Sequence, residues 1–314
     1  MRFQPHPVTL RQLQYVVAVA DLRSFRRAAE QCGVSPPSLS AQIAEVESQL
    51  GVQIFERDRR SVSVTAAGVG IVADARRALR AADDVVDTAL RFRDPLRGSL
   101  RIGMLPTIAP YLLPCWSKAL SEKHRELVVL WAEEETAVLV RRLHARELDA
   151  ALVADDVALA GLSRHAVIHD PFVVAVPVGH PLAELDDVDV DDLRDHPLLL
   201  LDEGHCLRDQ ALTVCGGAGV REHPFRATSL QTLVQMVASG VGITLLPWLA
   251  APSECARSAL VVRPLRGAPG RELVLACRAD SPLSSTLAAF AHDVAALIAG
   301  REPVCSIRAG VTTP

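Results

Sequence analysis

The strongest constraint on this chain is a run of helix punctuation in its first 65 residues. Thr9 followed by Gln12 is a capping-box pattern, and Leu10, Leu13, Val17 and Ala20 then recur at helical spacing. Ser24 opens a second, short helix with Phe25, Ala28, Ala29 and Cys32 on one face, and Gly33 ends it. Ser35 is placed to cap a third helix with Pro36 at its first position, where a missing N–H costs nothing. Leu39, Ile43, Val46 and Leu50 form its inward stripe, while Ser38, Ser40, Gln42 and Glu45 face outward. Helix, short helix, glycine turn, helix is a helix-turn-helix. Gly51 ends the third helix, and two short strands are expected over 52–55 and 61–64. The tip between them carries Arg57, Arg59 and Arg60, which suits a wing that reaches phosphates. The residues alone leave open a small three-helix bundle with an ordinary solvated hairpin.

The rest of the chain must supply something else. Its 314 residues suggest about two domains. A 49% hydrophobic and 22% charged composition excludes a mostly disordered chain. The formal net charge of -4 hides a split: residues 1–65 carry +2 and the remainder -6. A mildly basic head on an acidic body fits a DNA-facing module. The start, with Arg2, Gln4, Pro5, His6 and Pro7, has no apolar core of a signal peptide, and no window of roughly 18 uncharged apolar residues spans a membrane. Seven cysteines, an odd number scattered over the chain, fit a reducing cytosol and a cytoplasmic location better than a disulfide framework. There is no CxxC, HExxH, Walker loop or GxSxG, so no metal or cofactor is expected.

Thr65 can cap a long helix to about Phe92, in which Val72, Ala75, Leu79, Ala82, Val86 and Ala89 form a heptad seam. A dimerising linker over 66–94 is expected; a helix packed on its own domain is the alternative. Residues 93–98 mark a hinge. Beyond it, strands expected at 100–105, 127–132, 150–154, 172–176, 198–201, 242–246 and 273–277 alternate with helices near 110–122, 136–146, 208–217, 229–239 and 283–299. That alternation argues an α/β body with mainly parallel sheets. A break near His169-Asp170-Pro171 divides it into two lobes, 98–169 with 273–300, and 170–272. The tail, 301–314, has weak patterning and is expected to be mobile.

One segment carries chemistry. Cys206 has His205 and Arg208 beside it to stabilise a thiolate, the form that attacks peroxides, and Cys215 lies nine residues on. If the intervening segment is helical, the two are about 13 Å apart along the axis. A disulfide needs Cα atoms about 4.4–6.8 Å apart, so bridging would require the helix to refold. Two unrelated cysteines, one packed and one on a loop, remain the alternative. Cys32, Cys115, Cys255 and Cys277 read as packing residues.

The segments Leu10-Arg11-Gln12-Leu13, Phe25-Arg26-Arg27-Ala28-Ala29, Val34-Ser35-Pro36-Pro37-Ser38-Leu39-Ser40-Ala41-Gln42-Ile43 and Phe55-Glu56-Arg57 resemble the DNA-binding head of LysR-type transcriptional regulators. Further on, Gly204-His205-Cys206-Leu207-Arg208-Asp209-Gln210 with Cys215, Phe225-Arg226-Ala227-Thr228-Ser229-Leu230 and Gly242-Ile243-Thr244-Leu245-Leu246-Pro247 resemble the peroxide-sensing members of that family. The family usually has Gln where Pro36 stands, and proline cannot make a bidentate base contact. The resemblance implies a winged helix-turn-helix over 9–65, a linker helix, and a two-lobed effector domain over 98–300 similar to type 2 periplasmic binding proteins. It implies a non-enzymatic regulator of antioxidant genes, acting on double-stranded promoter DNA and RNA polymerase as a homotetramer, a dimer of dimers. Ser35, Pro37, Ser38, Ser40 and Gln42, with the three wing arginines, would contact DNA. Cys206 would be the thiol that meets hydrogen peroxide and Cys215 the resolving thiol. Thr107, Thr136, His205, Asp209 and Arg278 would form the peroxide pocket, Asp209 engaging the Cys206 neighbourhood after rearrangement and Arg278 supplying charge near the thiolate, although Thr136 could equally cap the helix that follows it. A regulator answering to a small organic inducer, and a thiol peroxidase or solute-binding protein, are the competing readings; only a regulator explains the head.

Overall fold

Short polar side chains set the helix starts of the head. In the computed structural model, which describes residues 6–57, 62–91, 98–216 and 219–300, α1 (Leu10–Leu22) begins at a reciprocal capping box. Thr9 Oγ1 accepts from Gln12 N (3.2 Å) and Gln12 Oε1 from Thr9 N (2.9 Å). Ser24 caps α2 (Phe25–Cys32), and Gly33 ends it at φ +66°, a left-handed turn that costs glycine nothing. Ser35 caps α3 (Pro36–Leu50), whose first two positions are prolines. Strands β1 (Phe55–Arg57) and β2 (Val62–Val64) pair antiparallel with Phe55 opposite Val64. The long α4 (Ala66–Arg91) starts where Thr65 Oγ1 accepts from Gly68 N (2.9 Å).

Two details differ from the sequence expectation. The buried face of α1 is Gln12, Tyr15, Val16, Ala18 and Val19, whereas Leu10 is half exposed and Leu13, Val17 and Ala20 sit at its margin. Gln12 can lie inward because its Nε2 donates to Gln42 Oε1 on α3 (3.2 Å). The first strand starts at Phe55 rather than at 52, because Glu47 Oε1 accepts from both Ile54 N and Phe55 N (2.8 and 3.0 Å). A side chain there takes the place of a strand partner. Leu39, Ile43 and Val46 are buried as expected; Leu50, on the last turn, is exposed. Phe25 meets Phe55 edge to face at 6.0 Å.

The seam of α4 has two fates. Val72 and Ala75 are buried against the head, where α4 packs on α1, while Leu79 and Ala82 are half-buried and Val86 and Ala89 are exposed. Arg59, Arg60, most of the 93–98 hinge and the 301–314 tail, with Cys305, lie outside the described residues.

The chain divides into two units, Met1–Arg93 and Asp94–Pro314. In chain order the second unit contains β3 (Gly98–Met104), α5 (Ala109–Lys123), β4 (Leu127–Glu133), α6 (Thr136–His144), β5 (Ala150–Ala154) and β6 (Leu162–Pro177). It continues with β7 (Leu198–Leu201), α7 (Cys206–Cys215), β8 (Glu222–Ala227), α8 (Leu230–Ala238), β9 (Thr244–Pro247), α9 (Ala251–Cys255), β10 (Leu260–Pro264), β11 (Gly270–Arg278) and α10 (Ser284–Ala299). The large sheet runs β10-β6-β11-β5-β3-β4, with β9 also on β6, and β7 pairs separately with β8.

The sheets are mixed rather than mainly parallel. β3 pairs parallel with β4 and β5, and β7 with β8, but β6 and β11 make only antiparallel ladders. Antiparallel neighbours need only short connections, and β10 reaches β11 in five residues without a helix. The expected break at His169-Asp170-Pro171 is the interior of the sixteen-residue β6. That strand changes partners there: Leu162–Pro171 lies on β11, and Val173–Pro177 lies on β10. Pro171, which has no N–H to give a ladder, stands at the change. One consequence matters for the site. Asp170 and Arg271 become direct cross-strand neighbours.

Candidate functional site

Two helix starts bring the thiol and its neighbours together. Thr136 is the first residue of α6 and Cys206 the first of α7, so the positive ends of both helices lie at this site. A small chamber is lined by Leu105, Pro106, Thr107, Glu135, Thr136, Gly204, His205 and Cys206, with about 10 Å³ free, what one water-sized molecule needs. Gly204, at φ +98°, lets the loop before Cys206 pass Glu135; a Cβ there would stand 2.8 Å from its Oε2.

Thr136 does not cap α6. Its hydroxyl is buried, has no nitrogen or oxygen partner, and faces the Cys206 sulfur. Thr107 is also buried, and its Oγ1 accepts from Arg271 Nη1 (2.7 Å) while its carbonyl accepts from Arg271 Nη2 (3.2 Å). Arg271 Nε donates to Asp170 Oδ2 (3.0 Å), and Asp170 Oδ1 accepts from Leu249 N (2.9 Å). Both members of the Asp170–Arg271 pair are about as enclosed as side chains become, 2% and 1% exposed. A buried pair held by this many hydrogen bonds is fixed in orientation.

Burial pushes the Cys206 thiol up, and Arg271, the Thr136 hydroxyl and the Leu207 N–H pull it back. Cys206 therefore rests as a thiol whose anion is supported from across the chamber. Cys215, the last residue of α7, is in the core at 3% exposed, and burial pushes its thiol up to about 11. Both are free thiols at opposite ends of a ten-residue helix.

The structure thus brings Thr107, Thr136, His205 and Cys206 to one place and turns Arg208 and Arg278 to other partners, with Asp209 three residues along α7 from Cys206. Arg208 Nη2 turns to Glu222 Oε2 (3.4 Å) rather than to the thiol beside it. Asp209 is exposed on the first turn of α7, and its backbone carbonyl accepts from Thr213 Oγ1. Arg278 does not supply the charge near Cys206. Its Nη1 donates to the carbonyls of Leu143 and Leu148 (3.2 and 2.9 Å), and its Nε lies 3.6 Å from Asp280. The terminal carbonyls of α6 and the loop after it claim that guanidinium. Sequence reasoning misses Arg271 and Asp170, because a strand expected to begin at 273 leaves Arg271 in a loop. A second buried contact, Tyr111 Oη donating to Glu254 Oε1 (2.8 Å), joins α5 to α9. Burial, and then Glu254, push that phenol far up.

On the head, Ser35 Oγ is the α3 cap, accepting from Ser38 N (3.3 Å); Pro37 and Ser38 are exposed and Ser40 is half-buried. Gln42 is held internally by Gln12 and by Glu45 Oε2 (3.1 Å). Arg57 closes β1.

Residues 10–69 match the family of bacterial regulatory helix-turn-helix proteins, lysR family, and residues 93–297 match the LysR substrate binding domain. A probable hydrogen peroxide-inducible genes activator of Mycobacterium avium is 40% identical over 305 residues, 96% of this chain and 97% of that one. The DNA-binding transcriptional dual regulator OxyR of Escherichia coli K12 is 39% identical over 93% of this chain and 97% of its own. Among solved structures, a full-length Pseudomonas aeruginosa OxyR with a cysteine-to-aspartate substitution is 35% identical, covers 93% of this chain and 96% of that one, and superposes with a TM-score of 0.70. A cysteine-to-serine mutant of Corynebacterium glutamicum OxyR, H2O2-bound, is 32% identical over 94% and 96%, with a TM-score of 0.64.

Proposed function

The chain belongs to the LysR family of bacterial helix-turn-helix regulators, and we propose that it senses hydrogen peroxide and switches antioxidant genes through Cys206 and Cys215. The carrying observation is the chamber in which one thiol meets the Thr136 hydroxyl, which has no nitrogen or oxygen partner, and Thr107, held by Arg271. The relatives' names agree with it.

In the first step the Cys206 sulfur attacks one peroxide oxygen. The O–O bond breaks as the S–O bond forms, sulfur loses two electrons, and the departing oxygen takes the thiol proton and leaves as water. Thr136 and Thr107 offer hydroxyls to the peroxide, and Arg271 supports the sulfur anion. In the second step the Cys215 thiol attacks the sulfenic sulfur, the S–S bond forms, and the second water leaves. Cys206 and Cys215 stand at the two ends of α7, about 13 Å apart along its axis. The bond therefore requires α7 to unwind and Cys215 to leave the core. Each oxidation consumes one peroxide per chain, and in this reading its product is a regulatory state rather than a step of turnover. With one equivalent of peroxide, peptide mass mapping should find the 206–215 bond, and promoter footprints of the two forms should differ. A bond elsewhere, or identical footprints, would count against the switch.

We assign DNA binding to 9–65, dimerisation to 66–94 and sensing to 98–300, in a cytoplasmic protein that acts on RNA polymerase. Among the described residues no helix is long and apolar enough to cross a membrane. Ser38 and Ser40 approach base edges, with Gln42 joining them once it releases Gln12 and Glu45, Ser35 and Pro37 at the helix start, and Arg57, Arg59 and Arg60 on the backbone. Arg59→Ala should weaken all sequences alike and lower the salt slope of binding by about one unit. A sequence-selective loss at unchanged slope would reassign it to base contact.

The homo-oligomer, a dimer of dimers, rests on the distal half of α4, which keeps Val85 and Val86 at 70% and 60% exposed. Leu79→Asp would place a charge in that seam and should cost several kcal/mol of association. An unchanged sedimentation profile would remove the seam.

A further inference from the structure

The chamber at Cys206 shares Pro106, Thr107, Glu135 and His205 with a larger cleft of about 670 Å³. Six carboxylates line that cleft, Glu133, Glu134, Glu135, Asp202, Glu203 and Glu254, against the single arginine Arg257. Glu134 reaches Arg142 at 3.8 Å, and Glu254 accepts from the Tyr111 hydroxyl. Glu133, Glu135, Asp202 and Glu203 are exposed and have no lysine or arginine within 4 Å among the described residues. Deeper in, Arg271, the cation that acts on the Cys206 sulfur, is paired with Asp170 at 3.0 Å, so little of its charge is left for an incoming anion. What the inner end holds instead is the Thr136 hydroxyl, more than nine-tenths buried and without an oxygen or nitrogen partner, on the chamber wall. A neutral hydrogen-bonding molecule suits that end.

We infer that the acidic cleft is a charge filter: Glu133, Asp202 and Glu203 hold anionic oxidants away from Cys206 and leave neutral peroxides unaffected. This rests on Cys206 being the reactive thiol. Clefts lined by one sign of charge focus the field, which lowers the local concentration of like-charged solutes and leaves uncharged ones alone. Salt removes the effect, because the screening length falls from about 30 Å at 0.01 M to about 8 Å at 0.15 M.

The test uses two reagent pairs matched in chemistry and differing in charge, on the full-length reduced protein. Iodoacetamide and iodoacetate alkylate thiols by the same displacement, neutral and anionic; hydrogen peroxide and peroxymonosulfate are the neutral and anionic oxidants. Rates at Cys206 are read by peptide mass spectrometry across the salt range. In the wild type the anionic rates should rise with salt and the neutral rates stay flat. In the Glu133→Gln/Asp202→Asn/Glu203→Gln variant, three unit charges are removed from the cleft wall. Iodoacetate labelling should then quicken about fivefold at low salt, with iodoacetamide changed less than about twofold. Flat salt dependence for both anionic reagents in the wild type would overturn the filter, whatever the variant does. An equal rise for both charge types in the variant would also overturn it, since that marks a widened cleft. If hydrogen peroxide fails to oxidise Cys206 while the alkylating pair still divides by charge, the sensor reading falls and the filter stands. A Cys206 inert to both neutral reagents would remove the target and the filter with it.

Discussion

Cys206→Ser is expected to abolish the peroxide response completely and leave the protein in its reduced DNA-binding form. No other described thiol shares the chamber with Thr107 and Thr136. A serine hydroxyl keeps the volume but cannot accept the two-electron oxidation. Cys215→Ser should behave differently: Cys206 still reacts, but the product stops at sulfenic acid, which a dimedone-type probe captures. With both cysteines present, oxidation should release backbone amides of 206–215 to hydrogen exchange and leave 230–238 protected, because only α7 has to unwind. The packing of Leu207, Ala211 and Cys215 is what the new bond must outweigh. A Cys215→Ser protein that still changes its DNA binding with peroxide would make sulfenylation itself the signal.

The sequence shows some of this plainly and hides the rest, and range along the chain separates the two. Thr9, Ser24, Gly33, Ser35 and Thr65 act within a few residues of themselves, so the helix starts and stops they mark lie where their chemistry puts them. The placement of β1 depends on Glu47, eight residues away, and a local pattern starts the strand three positions early. The α1 stripe departs from its apolar spacing because Gln12, polar on any scale, is carried inward by Gln42 thirty residues on. At the site, His205 and Cys206 are legible from their own segment. Thr107 and Thr136 are legible only through resemblance. Arg271 faces Asp170 only through an antiparallel ladder between residues 101 apart, and no local pattern distinguishes it from Arg278. The fate of Arg208 shows the same limit: adjacency in sequence suggests support for the thiol, and Glu222, fourteen residues away, takes the guanidinium.

Arg271→Met is expected to produce the largest stability change in the sensing unit. The substitution keeps most of the side chain's volume but leaves the Asp170 carboxylate, 2% exposed, with Leu249 N–H and no cation. Removing one member of a buried pair costs about 3–5 kcal/mol. For a unit of this size that lowers the melting temperature by about 10 °C. Asp170→Asn/Arg271→Met should recover most of the loss, because the amide is neutral and its oxygen still accepts from Leu249 N. The reactivity of Cys206 should not recover. Burial holds its proton on, and Arg271 is the foremost group opposing that, so both variants keep a thiol that ionises at higher pH. The pH profile of Cys206 alkylation should therefore move upward in the single and the double variant alike. For every pH unit the profile moves, reaction at neutral pH slows about tenfold. Stability that returns in the double variant without reactivity separates the two roles of Arg271. A double variant that regains both would reduce Arg271 to a structural partner of Asp170, and a single variant that melts like the wild type would show that the carboxylate finds compensation elsewhere.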